Sequence, residues 1–150
     1  MGSPPVIAVD AMGGDHAPHA IVSGALQAAD AGHRVVLVGD RARLDPLVGE
    51  LLPVIHASDA VSDDDTALDA VRRRTGSSIH VALDALAEGR VRAVVSCGHS
   101  GATVLQAVRR LGILDGVERV ALGAVLPRAD GGAPRLVDAG ASGDSRPTHL

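Results

Sequence analysis

Val6-Ile-Ala-Val-Asp10 is a short apolar run ending in a carboxylate, and Ala11-Met-Gly-Gly-Asp-His-Ala-Pro18 follows it. A Val/Ile-rich run of this length reads as a strand buried on both faces, the kind that fills a parallel sheet. The glycine pair marks a tight turn, and Pro18 suits a helix start. Strand, glycine loop and helix in this order constrain the chain to an open α/β sheet. In such sheets ligands bind beyond the carboxyl ends of the strands. Glycine lets the main chain approach a ligand, and the helix N-terminus behind it favours an anion. The stretch predicts a polar site for a small anionic molecule.

The rest of the chain repeats this alternation. Strands are expected at Val6–Asp10, Arg34–Val38, Pro53–His56, Val91–Ser96, Ala121–Leu126 and Arg135–Asp138. Helices are expected at Pro18–Asp30, Arg41–Leu51, Thr66–Arg74, Ser78–Glu88 and Ala102–Leu111. Ile21, Ala25, Ala28 and Ala29 share one face of the first helix. Gly32 and Gly89 sit where helices should stop, Asp63-Asp64-Asp65 suits a solvated helix start, and Ala129–Pro134 reads as a hairpin turn between the last two strands. The expected fold is a three-layer αβα arrangement with a mostly parallel sheet, formed by residues 1–150 as a single α/β domain.

With 46% hydrophobic residues the chain can pack a core, and a chain of 150 residues buries roughly 70% of its unfolded surface without staples. Net charge is −4 and the longest basic tract is Arg72-Arg73-Arg74, which argues against a nucleic-acid partner. No apolar run is long enough to span a membrane, and no basic-then-apolar leader opens the chain. The single Cys97 fits a reducing compartment, so a cytoplasmic location is expected. The chain has no Phe, Tyr, Trp, Lys or Asn. Without rings there is nothing to stack on a base, and without lysine there is no Schiff base, so no cofactor is expected.

A second glycine loop, Val94-Val-Ser-Cys-Gly-His-Ser-Gly-Ala-Thr103, joins a strand to a helix. Main-chain N–H groups of Gly98 to Gly101, with the Ser100 hydroxyl, would cradle an anion. The plainer reading is a tight turn that needs glycine for its dihedrals. Gly98-His-Ser-Gly-Ala102 fails the nucleophile-elbow pattern because Ala stands at position 102. Cys97 beside His99 reads as a thiolate nucleophile or, more simply, as a buried structural cysteine. Asp10, Asp15, His16 and His19 lack a third ligand at firm spacing, so no metal is expected. Asp10 and Asp15 read as polar groups of the cleft and His16 as a proton carrier; the plainer alternative is that Asp10 caps and His16 bonds the loop.

Four stretches resemble bacterial phosphate acyltransferases, in order and in spacing: Ile7–Pro18, Arg72–Ser78, Val95–Ala102 and Leu136–Leu150. The resemblance covers the N-terminal half of that family, with the C-terminal half absent. Pro147–Leu150 looks like the first turn of a helix. Where the family has Ala, Asn, Asn and Lys, this chain has Cys97, His99, Ser142 and Arg146. The resemblance implies an architecture similar to phosphotransacetylases and isocitrate-dehydrogenase-like enzymes. It implies attack of inorganic phosphate on acyl–acyl carrier protein, giving acyl phosphate for phospholipid synthesis. Asp10, His16 and His99 would be catalytic. Gly13, Gly14, Asp15, Gly98, Ser100, Gly101, Asp138, Gly140 and Asp144 would bind phosphate or substrate. Arg72, Arg73 and Arg74 would dock the acidic carrier protein. A homodimer with at most peripheral membrane association is implied. The alternative is an inactive truncated homologue that binds an anion or a protein.

Overall fold

A computed structural model describes residues 4–62 and 64–138 of the chain. It divides into two compact units, Met1–Leu111 and Gly112–Leu150.

In the first unit four strands form one parallel sheet: β1 (Val6–Asp10), β2 (Arg34–Gly39), β3 (Val54–His56) and β4 (Ala93–Val95). Their order is β3-β2-β1-β4. Five helices accompany them: α1 (His19–Asp30), α2 (Arg41–Val48), α3 (Ala67–Arg73), α4 (Ser78–Ala87) and α5 (Ser100–Leu111). β2 is buried from Val35 to Gly39, as a continuous apolar run in a central parallel strand should be. Alternate residues of the sheet feed two cores. Val35 and Leu37 pack with Val22, Ala25 and Leu44 of α1 and α2. Ala8, Val36 and Val38 pack with Ala82 and Ala85 of α4. Helices therefore cover both faces, and the expected αβα layering holds.

Leu37 is fully buried at the centre of the first core. Leu37→Ala should cost about 2–5 kcal/mol, because the surrounding β-branched and helical residues collapse only partly into the gap. Equilibrium denaturation with an unchanged slope would measure it.

Several boundaries differ from those the sequence suggests. α1 begins at His19, with Pro18 as its N-cap. α2 ends at Val48 rather than Leu51, because Gly49 turns to φ +52°. β4 is shorter than Val91–Ser96 since Ser96 turns aside to bond Asp10. α5 begins at Ser100 instead of Ala102. His99 caps it: its ring Nδ1 accepts the Ala102 N–H at 3.2 Å, and its carbonyl accepts the Thr103 N–H at 3.0 Å. The acidic run does not start α3. Thr66 does so, accepting the Asp69 N–H at 3.1 Å, while Asp65 pairs with Arg74; Asp63 lies outside the described residues.

In the second unit β5 (Gly123–Val125) and β6 (Arg135–Val137) form an antiparallel pair. The hairpin expected between the last two strands is thus present, and it forms a two-stranded sheet of its own. The turn explains this: Gly131 adopts φ +81° and the Arg128 N–H bonds the Gly132 carbonyl at 3.1 Å, closing a hairpin that pairs neighbours in sequence. Leu114, Val125 and Val137 are exposed in this unit. Asp138 has φ 60°. Gly140, Ser142, Asp144, Arg146 and the Pro147–Leu150 turn lie outside the described residues.

Candidate anion site at the strand ends

The chain runs from β1 outward through β2 to β3, and β4 then returns to the other side of β1. The order reverses between β1 and β4, and the crevice at such a switch point is where open α/β sheets bind ligands. Both glycine loops leave the sheet there. They touch: a Cβ placed on Gly13 would lie 3.0 Å from both Cα and N of Gly98. Gly14 takes φ +109°, a conformation open to glycine, and its face meets the Cys97 carbonyl. The two loops are in van der Waals contact, well within reach of one small ligand.

Asp10 holds this junction together. Only 2% exposed, its carboxylate accepts the Met12 N–H at 3.2 Å and the Ser96 hydroxyl at 2.7 Å. The Ser96 oxygen in turn accepts the Gly98 N–H at 3.1 Å. A single buried carboxylate thus ties the turn after β1 to the turn after β4. Both of its oxygens are engaged, so Asp10 acts as a strut. The Gly98 N–H, expected in the cradle, is committed to Ser96.

The first turn of α5 supplies the remaining donors. Ser100 and Gly101 open that helix, and N–H groups there have no acceptor within the helix. A Cβ on Gly101 would meet His99 Cε1 at 3.2 Å and Ala67 Cβ at 3.4 Å, so α3 walls the junction on that side. Asp15 and His16 stand exposed on the loop after Gly14. His99 spends Nδ1 on its cap. Cys97 is exposed rather than buried. It lines an apolar cavity of about 370 Å³ between α1 and the sheet, with Ile7, Val9, Ile21 and Val95.

The junction thus brings together Asp10, Gly13, Gly14 and Gly98, with His99, Ser100 and Gly101 beside them. It does not include the arginine triplet. Arg72 and Arg73 are exposed at the end of α3, and Arg73 pairs with Asp69 at 3.4 Å. Arg74 faces elsewhere: it bridges Asp65 at 3.1 Å and Asp59 at 3.3 Å. It fastens α3 to the segment after β3 and is spent structurally. Asp138 belongs to the second unit. Among the described residues no group of three His, Cys, Asp or Glu could hold a metal ion.

The Ser62 N–H and then the Arg74 guanidinium hold Asp65 below the ordinary carboxylate range, and Asp65 and Asp59 raise Arg74. A depressed carboxylate stabilises the fold above its unfolded value, about pH 4, and loses that contribution as pH falls toward its folded value. Asp65→Asn should flatten the acid limb of stability below about pH 4 and leave the neutral-to-basic profile shape unchanged. Thermal melts across that window check it.

The sequence profile of the family described as fatty acid synthesis protein matches residues 6–150. A phosphate acyltransferase of Myxococcus xanthus is 47% identical over 152 residues, spanning 96% of this chain and 43% of that protein. One from Gloeothece citriformis is 45% identical over 151 residues, with 96% and 43% spanned. One from Thermus thermophilus is 47% identical over 147 residues, with 96% and 44% spanned. The chain belongs to this fatty acid synthesis family. It spans less than half the length of these curated relatives.

Two features of this family member escaped sequence reasoning. Ser96 looks in sequence like no more than a strand end, yet its hydroxyl links both loops through Asp10. A small hydroxyl two residues before a loop glycine is the only local signal. Arg74 looks like its two neighbours in sequence, and only the fold sets it between two carboxylates.

Proposed function

We propose that this chain forms the phosphate-binding part of a phosphate acyltransferase that moves a fatty acyl group from acyl carrier protein to inorganic phosphate. The observation that carries this reading is the contact of the Gly13 and Gly98 loops at the β1/β4 switch point. A phosphate oxygen attacks the thioester carbonyl, the C–S bond breaks, and the carrier thiolate leaves and takes a proton. Phosphate is already nucleophilic and a thiolate leaves readily, so positioning and oxyanion stabilisation dominate. Main-chain donors at Gly13, Gly14 and the first turn of α5 serve both needs, on a frame fixed by Asp10 and Ser96. In this reading His16, exposed on the loop after Gly14, protonates the thiolate. The apolar cavity that meets the junction at Cys97 gives the acyl chain a place to lie.

Arg72 and Arg73 are the docking cations in this reading. Arg72→Glu together with Arg73→Glu should weaken carrier-protein binding at low salt and remove its salt dependence. Equal affinities for variant and parent at low salt would count against electrostatic docking. The reading also carries a cytoplasmic homodimer with at most peripheral membrane contact; no helix among the described residues is long and apolar enough to cross a membrane. Acyl phosphate formation from acyl–acyl carrier protein and phosphate tests the activity. Phosphate binding without turnover would favour an inactive anion-binding module instead.

A further inference from the structure

A second cavity, polar and of about 300 Å³, opens among α3, α4 and α5, away from the strand ends. Its floor is Val71 and Gln106, its walls His80 and Asp84, and its mouth Arg109 and Arg110. Gln106 is 2% exposed, and neither atom of its amide has a hydrogen-bond partner among the described residues. An unsatisfied buried amide is costly, about 1–3 kcal/mol, so a native fold retains one where something else satisfies it.

Polarity is graded along this cavity. Gln106, Arg109 and Arg110 lie at i, i+3 and i+4 on one face of α5, and His80 and Asp84 at i and i+4 on α4. Asp84 is already claimed: Arg110 pairs with it, and His80 approaches it at 3.7 Å. Arg109 forms no ion pair among the described residues. The mouth therefore presents an uncompensated guanidinium, while the floor offers one amide donor pair and one carbonyl acceptor. An inorganic oxyanion would meet the mouth and leave the floor unsatisfied. A body bearing hydroxyls satisfies both atoms of the amide, since each hydroxyl donates and accepts.

We infer that this cavity binds a small hydroxylated organic anion, its phosphate or carboxylate head at Arg109 and its hydroxyls on Gln106. The site is independent of the glycine junction and does not rest on the acyl-transfer reading. Calorimetry with β-glycerophosphate, gluconate and inorganic phosphate tests it on the intact protein. At least one of the two organic anions should bind, and Gln106→Leu should weaken it by about tenfold or more. Leucine fills the same volume with no polar atom, so that variant keeps the fold. Arg109→Ala, at the exposed mouth, should weaken the same ligand and make its binding insensitive to salt. Binding of β-glycerophosphate but not gluconate identifies a phosphate head, and the reverse a carboxylate. Failure of both organic anions to bind, or binding unaffected by Gln106→Leu, would overturn the inference: water alone then satisfies the amide.

Discussion

Gly13→Ala should destabilise the protein by about 1–3 kcal/mol and weaken phosphate binding by about tenfold or more. The cause is space: a Cβ there would sit 2.6 Å from Asp10 Oδ2 and 3.0 Å from the Gly98 backbone. Two of its three closest neighbours are main-chain atoms of the facing loop, which cannot rotate away. The third is the carboxylate that clamps the junction. The loops must separate, and the donors they present move with them. Gly24→Ala is the matched control. Gly24 lies within α1 and a Cβ there meets nothing within 4 Å, so alanine should stabilise by about 0.5–1 kcal/mol. Calorimetric melts and phosphate titrations of both variants separate local crowding from a general intolerance of the added methyl.

Asp10→Ala should cost about 3 kcal/mol, near the upper end for hydrogen bonds to a charged group, because it orphans two donors at once. The Met12 N–H and the Ser96 hydroxyl lose their acceptor, and the Gly98 N–H loses the oxygen that Ser96 held in place. Asp10→Asn is informative beside it. An amide carbonyl still accepts from Met12, but the amide nitrogen would face a Ser96 oxygen that already accepts from Gly98. Stability should be partly restored while the two loops stay misaligned. Ser96→Ala closes the cycle. A coupling energy of about 0.5–3 kcal/mol between positions 10 and 96 is expected, and additive effects would mean that the two loops are not linked through this carboxylate.

Much of the parallel sheet was legible because the pattern was local. Continuous apolar runs named β1 and β2, and glycines marked where α1 and α4 stop. The two glycine loops were legible as separate strand-end turns. Their contact was not, because it depends on β4 returning beside β1, a pairing across 86 residues from Asp10 to Ser96. The arginine triplet hides a difference for a related reason: Arg72 lies on α3 and meets solvent, while Arg74 is the non-helical residue that ends α3 and meets Asp59 and Asp65. His99 could not be assigned from its type. Imidazole suits proton transfer, and here its acceptor nitrogen does the work of a capping oxygen. Near residue 123 the pairing was legible as well, because the turn at Ala129–Pro134 marks a hairpin and a hairpin joins neighbouring strands, as β5 and β6 are joined.

Amide-resolved NMR during titration with inorganic phosphate tests the central claim most directly. The account predicts saturable shifts at the N–H groups of Gly13, Gly14, Ser100 and Gly101, fitting one dissociation constant. They should be lost together in Gly13→Ala and retained in Gly24→Ala. Saturable binding with no response at these four amides, or with the loops responding at unrelated affinities, would contradict a shared phosphate site at the β1/β4 switch point.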